Sequence, residues 1–65
     1  NAKKVGERLS EQREKLRYNQ SGIAAVANVS QRTFSSWENG VLPGQWGSLV
    51  TLAEKFNVST DYLLG

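Results

Sequence analysis

The segment "NQSGIAAVANVSQRTFSSWENG", Asn19 to Gly40, carries the most informative pattern of this 65-residue chain. It holds two short apolar stripes at helical spacing, and Asn28 separates them where the chain must turn sharply. Asn is one of the few residues with a side chain that tolerates a left-handed backbone. The segment therefore predicts two short helices, Gln20 to Ala27 and Gln31 to about Asn39, joined by a tight turn.

The second of these helices has an unusual outward face. Phe34 and Trp37 lie three residues apart and are expected to face the core together. The opposite side carries amides, hydroxyls and one cation where a surface helix usually carries Lys and Glu: Gln31, Arg32, Ser35, Ser36 and Asn39. Arg matches guanine edges, Gln matches adenine, and Ser can donate or accept. This face therefore predicts base contacts in the major groove of DNA.

Composition narrows the function further. The chain contains no Cys and no His, which excludes disulfides and zinc-finger sites and leaves an enzyme without its usual nucleophile and base. We therefore predict a protein that is not an enzyme, with no metal site and no cofactor. The net charge of +2 favours polyanions weakly, and every cation except Lys55 lies in the first half. No apolar run approaches the length needed to span a membrane and no signal-peptide apolar region is present, which predicts a cytoplasmic protein without a membrane partner.

Three further helices complete the prediction of an all-α, five-helix fold. A first helix over Ala2 to Arg17 would bury Val5, Leu9 and Leu16. A fourth, over roughly Gln45 to Phe56, has the apolar face Trp46, Leu49, Val50, Ala53 and Phe56. Asn57 should take the same backbone conformation as Asn28, and Ser59 should cap a last helix through Leu64. We interpret residues 1–65 as one domain; because the chain begins with Asn1, a piece of a longer repressor is one interpretation.

These blocks resemble the phage repressor and Cro family, also called the XRE or lambda-repressor-like family. The resemblance rests on the Asn19–Gly40 segment as a helix-turn-helix, on "VGERLSEQREKL" as the first helix and on "LAEKFNVSTDYLLG" as the closing block. It implies sequence-specific binding to double-stranded DNA, with the second helix of the motif in the major groove. It also implies a transcriptional regulator that acts as a repressor, as a homodimer on a near-palindromic operator in a bacterial or phage-infected cell.

The resemblance assigns roles to individual residues. It implies that bases are read by Gln31, Arg32, Ser35 and Ser36. Contacts to the DNA backbone would come from Asn19, Gln20, Arg13 and Asn39. Arg13 and Glu38 would also form a structural pair between the first and third helices. We expect the dimer seam in the C-terminal half, at Leu42, Trp46, Tyr62 and Leu64.

The loop after Gly40 departs from the family pattern. Many relatives carry Lys or Arg there, whereas this chain has Val41 and Leu42, which cannot neutralise phosphates. An exposed apolar loop also suits a protein partner. The alternative is therefore a helical protein-interaction module, such as an antitoxin, that uses the same fold without reading DNA.

Overall fold

A computed structural model describes residues 2–41 and 43–64 of the chain. Over these residues the backbone forms five α-helices and no strand: α1 Ala2–Lys15, α2 Gln20–Val26, α3 Gln31–Glu38, α4 Trp46–Phe56 and α5 Thr60–Leu64. The prediction of an all-α, five-helix fold is thus confirmed for the described part of the chain.

Short polar side chains set where the helices begin. The Asn19 Oδ1 accepts a hydrogen bond from the backbone N–H of Gly22 at 2.6 Å, and Ser30 Oγ accepts from that of Thr33 at 3.1 Å. Ser59 Oγ accepts in the same way from Tyr62 N at 3.0 Å. Such N-caps satisfy backbone donors that have no partner inside the helix, so the starts of α2 and α3 agree with the predicted ones.

Four helices end in the same backbone turn. In each, a residue with positive φ follows the helix and two backbone N–H groups donate to carbonyls of the last turn, as in a Schellman motif. After α2, for example, Asn28 N donates to Ala25 O at 3.1 Å and Val29 N to Ala24 O at 3.0 Å. The positive-φ residues are Arg17 (63°), Asn28 (60°), Gly40 (102°) and Asn57 (58°).

The predicted end of the first helix is wrong, because the chain turns at Arg17. The helix ends at Lys15 rather than at Arg17, because Arg17 takes the left-handed backbone that closes the turn. Leu16 consequently lies outside the apolar stripe and is 42% exposed. An Arg side chain gives no sequence signal for this conformation, whereas Asn28, Gly40 and Asn57 do.

All five helices contribute buried apolar side chains to one core. Phe34 and Trp37 of α3 meet edge to face in it, with ring centroids 5.9 Å apart. Trp46, which the sequence placed both on the apolar face of the fourth helix and at the expected dimer seam, is 59% exposed and does not join the core. Trp46 lies in the first turn of α4 at the edge of its apolar stripe, and the fully buried Leu52 lies nearer the centre.

Gly6 lets α1 approach the end of α3. A Cβ atom at this position would lie 2.6 Å from the carbonyl oxygen of Trp37 and 2.7 Å from that of Glu38. Only a residue without a side chain allows backbones to come this close. The contact fixes how the last turn of α3 lies on α1, and with it the direction in which the outward face of α3 points.

Candidate nucleic-acid interface

The outward face of α3 is polar along its length. Gln31, Arg32 and Asn39 are exposed, and Ser35 and Ser36 are half-buried beside them. The opposite side of the helix is held in the core by Phe34 and Trp37. The helix therefore presents an amide, a guanidinium and hydroxyls on a rigid support.

Two side chains of this face are already engaged with their own helix. Ser36 Oγ donates to the carbonyl oxygen of Thr33 at 2.7 Å, so its hydroxyl oxygen can accept a hydrogen bond from a base but its hydrogen is used. The Asn39 Nδ2 donates to the carbonyl oxygen of Ser35 at 3.0 Å. These bonds limit what Ser36 and Asn39 can offer to a ligand without rearrangement.

The start of α2 places two amides next to each other. Asn19 uses its oxygen as the N-cap, so its Nδ2 amino group is the end that can donate to a ligand. The Gln20 side chain is half-buried, and its Nε2 donates to Glu38 Oε1 at 2.7 Å. The first residue of α2 is thereby attached to the last residue of α3.

Glu38 accepts from a second side chain as well. Arg13 Nε lies 2.7 Å from Glu38 Oε2, and Arg13 Nη1 donates to the carbonyl oxygen of Tyr18 at 2.8 Å. Only 14% of the Arg13 side chain and 9% of the Glu38 side chain are exposed. The geometry therefore brings the expected Arg13–Glu38 pair together. Gln20 joins it across 18 residues of sequence, a contact that no local pattern signals.

Two cationic side chains outside α3 lie over aromatic rings. The Arg8 guanidinium carbon lies 4.6 Å from the ring centroid of Tyr62, and its Nη1 donates to the Tyr62 carbonyl oxygen. Lys55 Nζ lies 5.4 Å from the ring centroid of Tyr18. Arg8 thus binds α5 to α1, a role that the sequence did not indicate.

The residues expected at a dimer seam lie at the surface where the structure describes them. Trp46 is 59% exposed, Tyr62 37% and Leu64 36%. Val41, next to the expected seam residue Leu42, is 55% exposed. Leu42 itself lies outside the described residues.

The described residues, 2–41 and 43–64, offer neither a metal-binding cluster nor a membrane-spanning helix. These residues contain no group of three or more His, Cys, Asp or Glu side chains placed to hold a metal ion. No helix among them combines the length and the apolar character that crossing a membrane requires.

Comparison with known proteins gives concordant results. Residues 9–63 match the model of the Helix-turn-helix family HTH_3. The chain is 38% identical over 61 residues to the HTH-type transcriptional regulator ImmR of Bacillus subtilis (strain 168), covering 94% of this chain and 48% of that protein. It is 31% identical over 64 residues to repressor protein C2 of Salmonella phage P22, covering 98% of this chain and 30% of C2. The chain thus spans about half of ImmR and less than a third of C2.

Solved structures share the same fold. The biofilm master regulator SinR, in a crystal structure with DNA, superposes with a TM-score of 0.82 at 26% identity, over 94% of this chain and 98% of the SinR chain. A crystal structure of FeII HppE in complex with substrate gives a TM-score of 0.84 at 22% identity, over 97% of this chain but 36% of HppE. The likeness to HppE concerns the fold alone.

Proposed function

Because this chain belongs to the XRE-type helix-turn-helix family, we propose that it binds double-stranded DNA sequence-specifically and represses transcription. The observation that carries the proposal is the polar outward face of α3, which stands directly after the tight turn and is anchored by two buried aromatic rings. A helix presented in this way can enter a major groove about 12 Å wide. As a DNA-binding regulator, the protein would act in the cytoplasm, without catalysis and without a cofactor.

The proposed base contacts come from the first turns of α3. Gln31 and Arg32 are exposed and can each make two hydrogen bonds to one base, Gln to adenine and Arg to guanine. Ser35 and Ser36 lie one turn further along and are half-buried, so these side chains would extend less far toward a base. Because the Ser36 hydrogen is given to Thr33, Ser36 would accept from a base donor such as the amino group of cytosine or adenine.

The proposed backbone contacts lie on either side of this face. Asn19 Nδ2 and the amide of Gln20 at the start of α2 can donate to a phosphate oxygen, and Asn39 lies at the far end of α3. Arg13, which shares the Glu38 carboxylate with Gln20, would add positive potential near that phosphate while remaining paired with Glu38. Such contacts fix the position of a protein on the duplex but carry no sequence information themselves.

A selection from randomised duplexes tests this function directly. We expect enrichment of one motif, and binding to it that weakens steeply as salt is raised, because phosphate neutralisation releases counterions. Wild-type protein that binds no duplex even at low salt would refute the proposal.

We further propose that two copies bind together, on half-sites that are related by a two-fold axis. Half-sites one helical turn apart are separated by about 34 Å. The Cα atoms span 23 × 22 × 20 Å, and side chains add about 3 Å on each side. Two copies on such sites would therefore come close to touching. Exposed apolar side chains at Trp46, Tyr62 and Leu64, together with Leu42, are the proposed seam.

A protein-interaction module is the second candidate function. The exposed Val41 and Trp46 favour it, because apolar side chains flanking one loop suit a protein surface. The duplex titration separates the two functions. Salt-sensitive binding to DNA supports the first, and its absence at low salt supports the second.

A further inference from the structure

The Gln20 amide has an orientation that its surroundings dictate. A Gln side chain can present either its oxygen or its amino group, but a carboxylate can only accept hydrogen bonds. Glu38 therefore faces the Gln20 amino group, and Nε2 donates to Glu38 Oε1 at 2.7 Å. The same nitrogen carries a second hydrogen, which diverges from the first and is available to another acceptor.

The carboxylate that imposes this orientation is itself held. Arg13 donates from Nε to Glu38 Oε2 at 2.7 Å and from Nη1 to the Tyr18 carbonyl oxygen at 2.8 Å. A continuous set of hydrogen bonds thus runs from the end of α1, through the last residue of α3, to the first residue of α2. A side chain ordered before binding loses less conformational freedom when it meets its ligand.

We propose that Glu38 is a positioning residue for DNA binding, which holds the Gln20 amide with its second N–H directed to a DNA phosphate. The inference rests on the proposed function, since it concerns how that same interface is prepared. Because Glu38 ends the helix that carries Gln31 and Arg32, the bond also ties the phosphate contact to the base-reading helix. The DNA backbone and the bases would then be engaged by one rigid unit.

Charge repulsion alone would make the Glu38 carboxylate unfavourable for DNA binding. An anion near a DNA-binding surface repels phosphates, so its removal alone should strengthen binding. If Glu38 positions Gln20, Glu38→Gln should weaken binding instead, because an amide at position 38 can face either end of Gln20. Glu14→Gln is the matched control: it removes the same charge from a carboxylate 3.9 Å from Arg13 on a side chain that is 69% exposed.

The experiment measures affinity for the selected operator by fluorescence anisotropy, with each variant held well below its melting midpoint. We expect Glu38→Gln to bind about three- to tenfold more weakly, the loss typical of one hydrogen bond, and Glu14→Gln to bind equally or more tightly. Gln20→Ala should cost less in the Glu38→Gln background than in the wild type. Equal or tighter binding by Glu38→Gln, or additive losses, would overturn the inference. If wild-type protein binds no duplex, the proposed function fails instead.

Two further measurements cover the case in which Glu38→Gln does not fold. Glu38→Asp keeps the charge but withdraws the carboxylate by one methylene, and it should also weaken binding; unchanged affinity overturns the inference. In the wild type, one Gln20 Nε2 proton should exchange with water more slowly than the exposed amide protons of Gln31, by NMR. Exchange of both Gln20 protons at the Gln31 rate would overturn it as well.

Discussion

The Glu38 carboxylate accepts hydrogen bonds from Arg13 of α1 and from Gln20 of α2, and its side chain is almost fully buried. Replacing Glu38 with Gln removes the buried carboxylate 2.7 Å from Arg13 and leaves only the exposed Glu14 carboxylate at 3.9 Å. Breaking a buried pair from one side costs about 3–5 kcal/mol, whereas an exposed pair contributes under about 1 kcal/mol. We therefore expect Glu38→Gln to lower the melting temperature by at least about 10 °C in calorimetry. An unchanged melting temperature would show that the pair does not stabilise the fold.

Arg17 is the residue whose backbone conformation suits its side chain least. Its φ of 63° is one that a residue with a Cβ atom adopts at a cost of about 1–2 kcal/mol. Arg17→Gly removes this cost but raises the entropy of the unfolded chain, which disfavours folding by about 0.5–1 kcal/mol. We therefore expect urea unfolding to show a free energy of unfolding higher by roughly 0.5 kcal/mol.

Lys15→Gly is the control for that substitution, because Lys15 has a helical backbone at the end of the same helix. It should destabilise the protein by up to about 1 kcal/mol. Loss of stability in both variants to the same extent would mean that the turn at Arg17 carries no strain.

The contact between α1 and α3 determines how the outward face of α3 is presented. Gly6→Ala would place a methyl group 2.6–2.7 Å from two backbone oxygens of α3, so the helices must separate. Gly→Ala in a helix otherwise adds up to about 1 kcal/mol of stability, but overpacking costs about 1–3 kcal/mol. We expect a net loss of about 1–2 kcal/mol in denaturant unfolding.

Gly47→Ala provides the comparison within the same chain. Gly47 lies in α4, and an added Cβ would meet no heavy atom within 4 Å among the described residues. This variant should be equal to the wild type in stability or slightly above it. If Gly6→Ala behaved like Gly47→Ala, the close approach of α1 to α3 would be refuted.

How much of this arrangement could be read from the sequence differs between elements. Helix starts and the turns at Asn28 and Asn57 follow from local chemistry, because caps and left-handed backbones favour particular residues. Gly6 gave no such signal, since its requirement comes from carbonyl groups more than 30 residues away. For Trp46 the sequence left two environments open, the apolar face of the fourth helix and the dimer seam, because periodicity gives the face of a helix but not how far the core extends along it.

The residues of the candidate site also differ in how far the sequence alone suggests them. Gln31 and Arg32 could be proposed as base contacts from the composition of one helix face, and the structure places both at the surface. The bond from Gln20 to Glu38 could not, because neither residue lies near the other until α2 and α3 have packed. A single sequence records which groups are available, whereas the pairing between distant groups is decided by the tertiary structure.

For the whole molecule, the homodimer proposal makes a geometric prediction. Two copies on half-sites about 34 Å apart should bind cooperatively, because one turn of the duplex places them on the same face. Inserting about 5 base pairs between the half-sites rotates one copy by half a turn and should remove the cooperativity. Footprinting of the native and lengthened operators measures this. Protection of a single half-site, with no gain from the second, would contradict the dimer.

The proposed contact between the neutral Gln20 amide and the DNA backbone can be measured on the same duplexes. Gln20→Ala should lower affinity for operator and scrambled duplex alike, because a phosphate is similar in every sequence. The slope of log affinity against log salt should stay nearly unchanged, because a neutral amide releases no counterion. A marked change in that slope would indicate that Gln20 acts through charged neighbours such as Arg13.

Whether α3 reads sequence is measured by comparing Gln31→Ala and Arg32→Ala on the selected operator and on a scrambled duplex. A two-bond base contact contributes about 1–3 kcal/mol of discrimination, so each variant should lose about 5- to 150-fold on the operator and far less on the scrambled duplex. Lys15→Ala removes the same charge as Arg32→Ala from an exposed position on α1 and should weaken both duplexes to the same modest degree. Equal losses on both duplexes for Gln31→Ala and Arg32→Ala would show that α3 does not read the sequence.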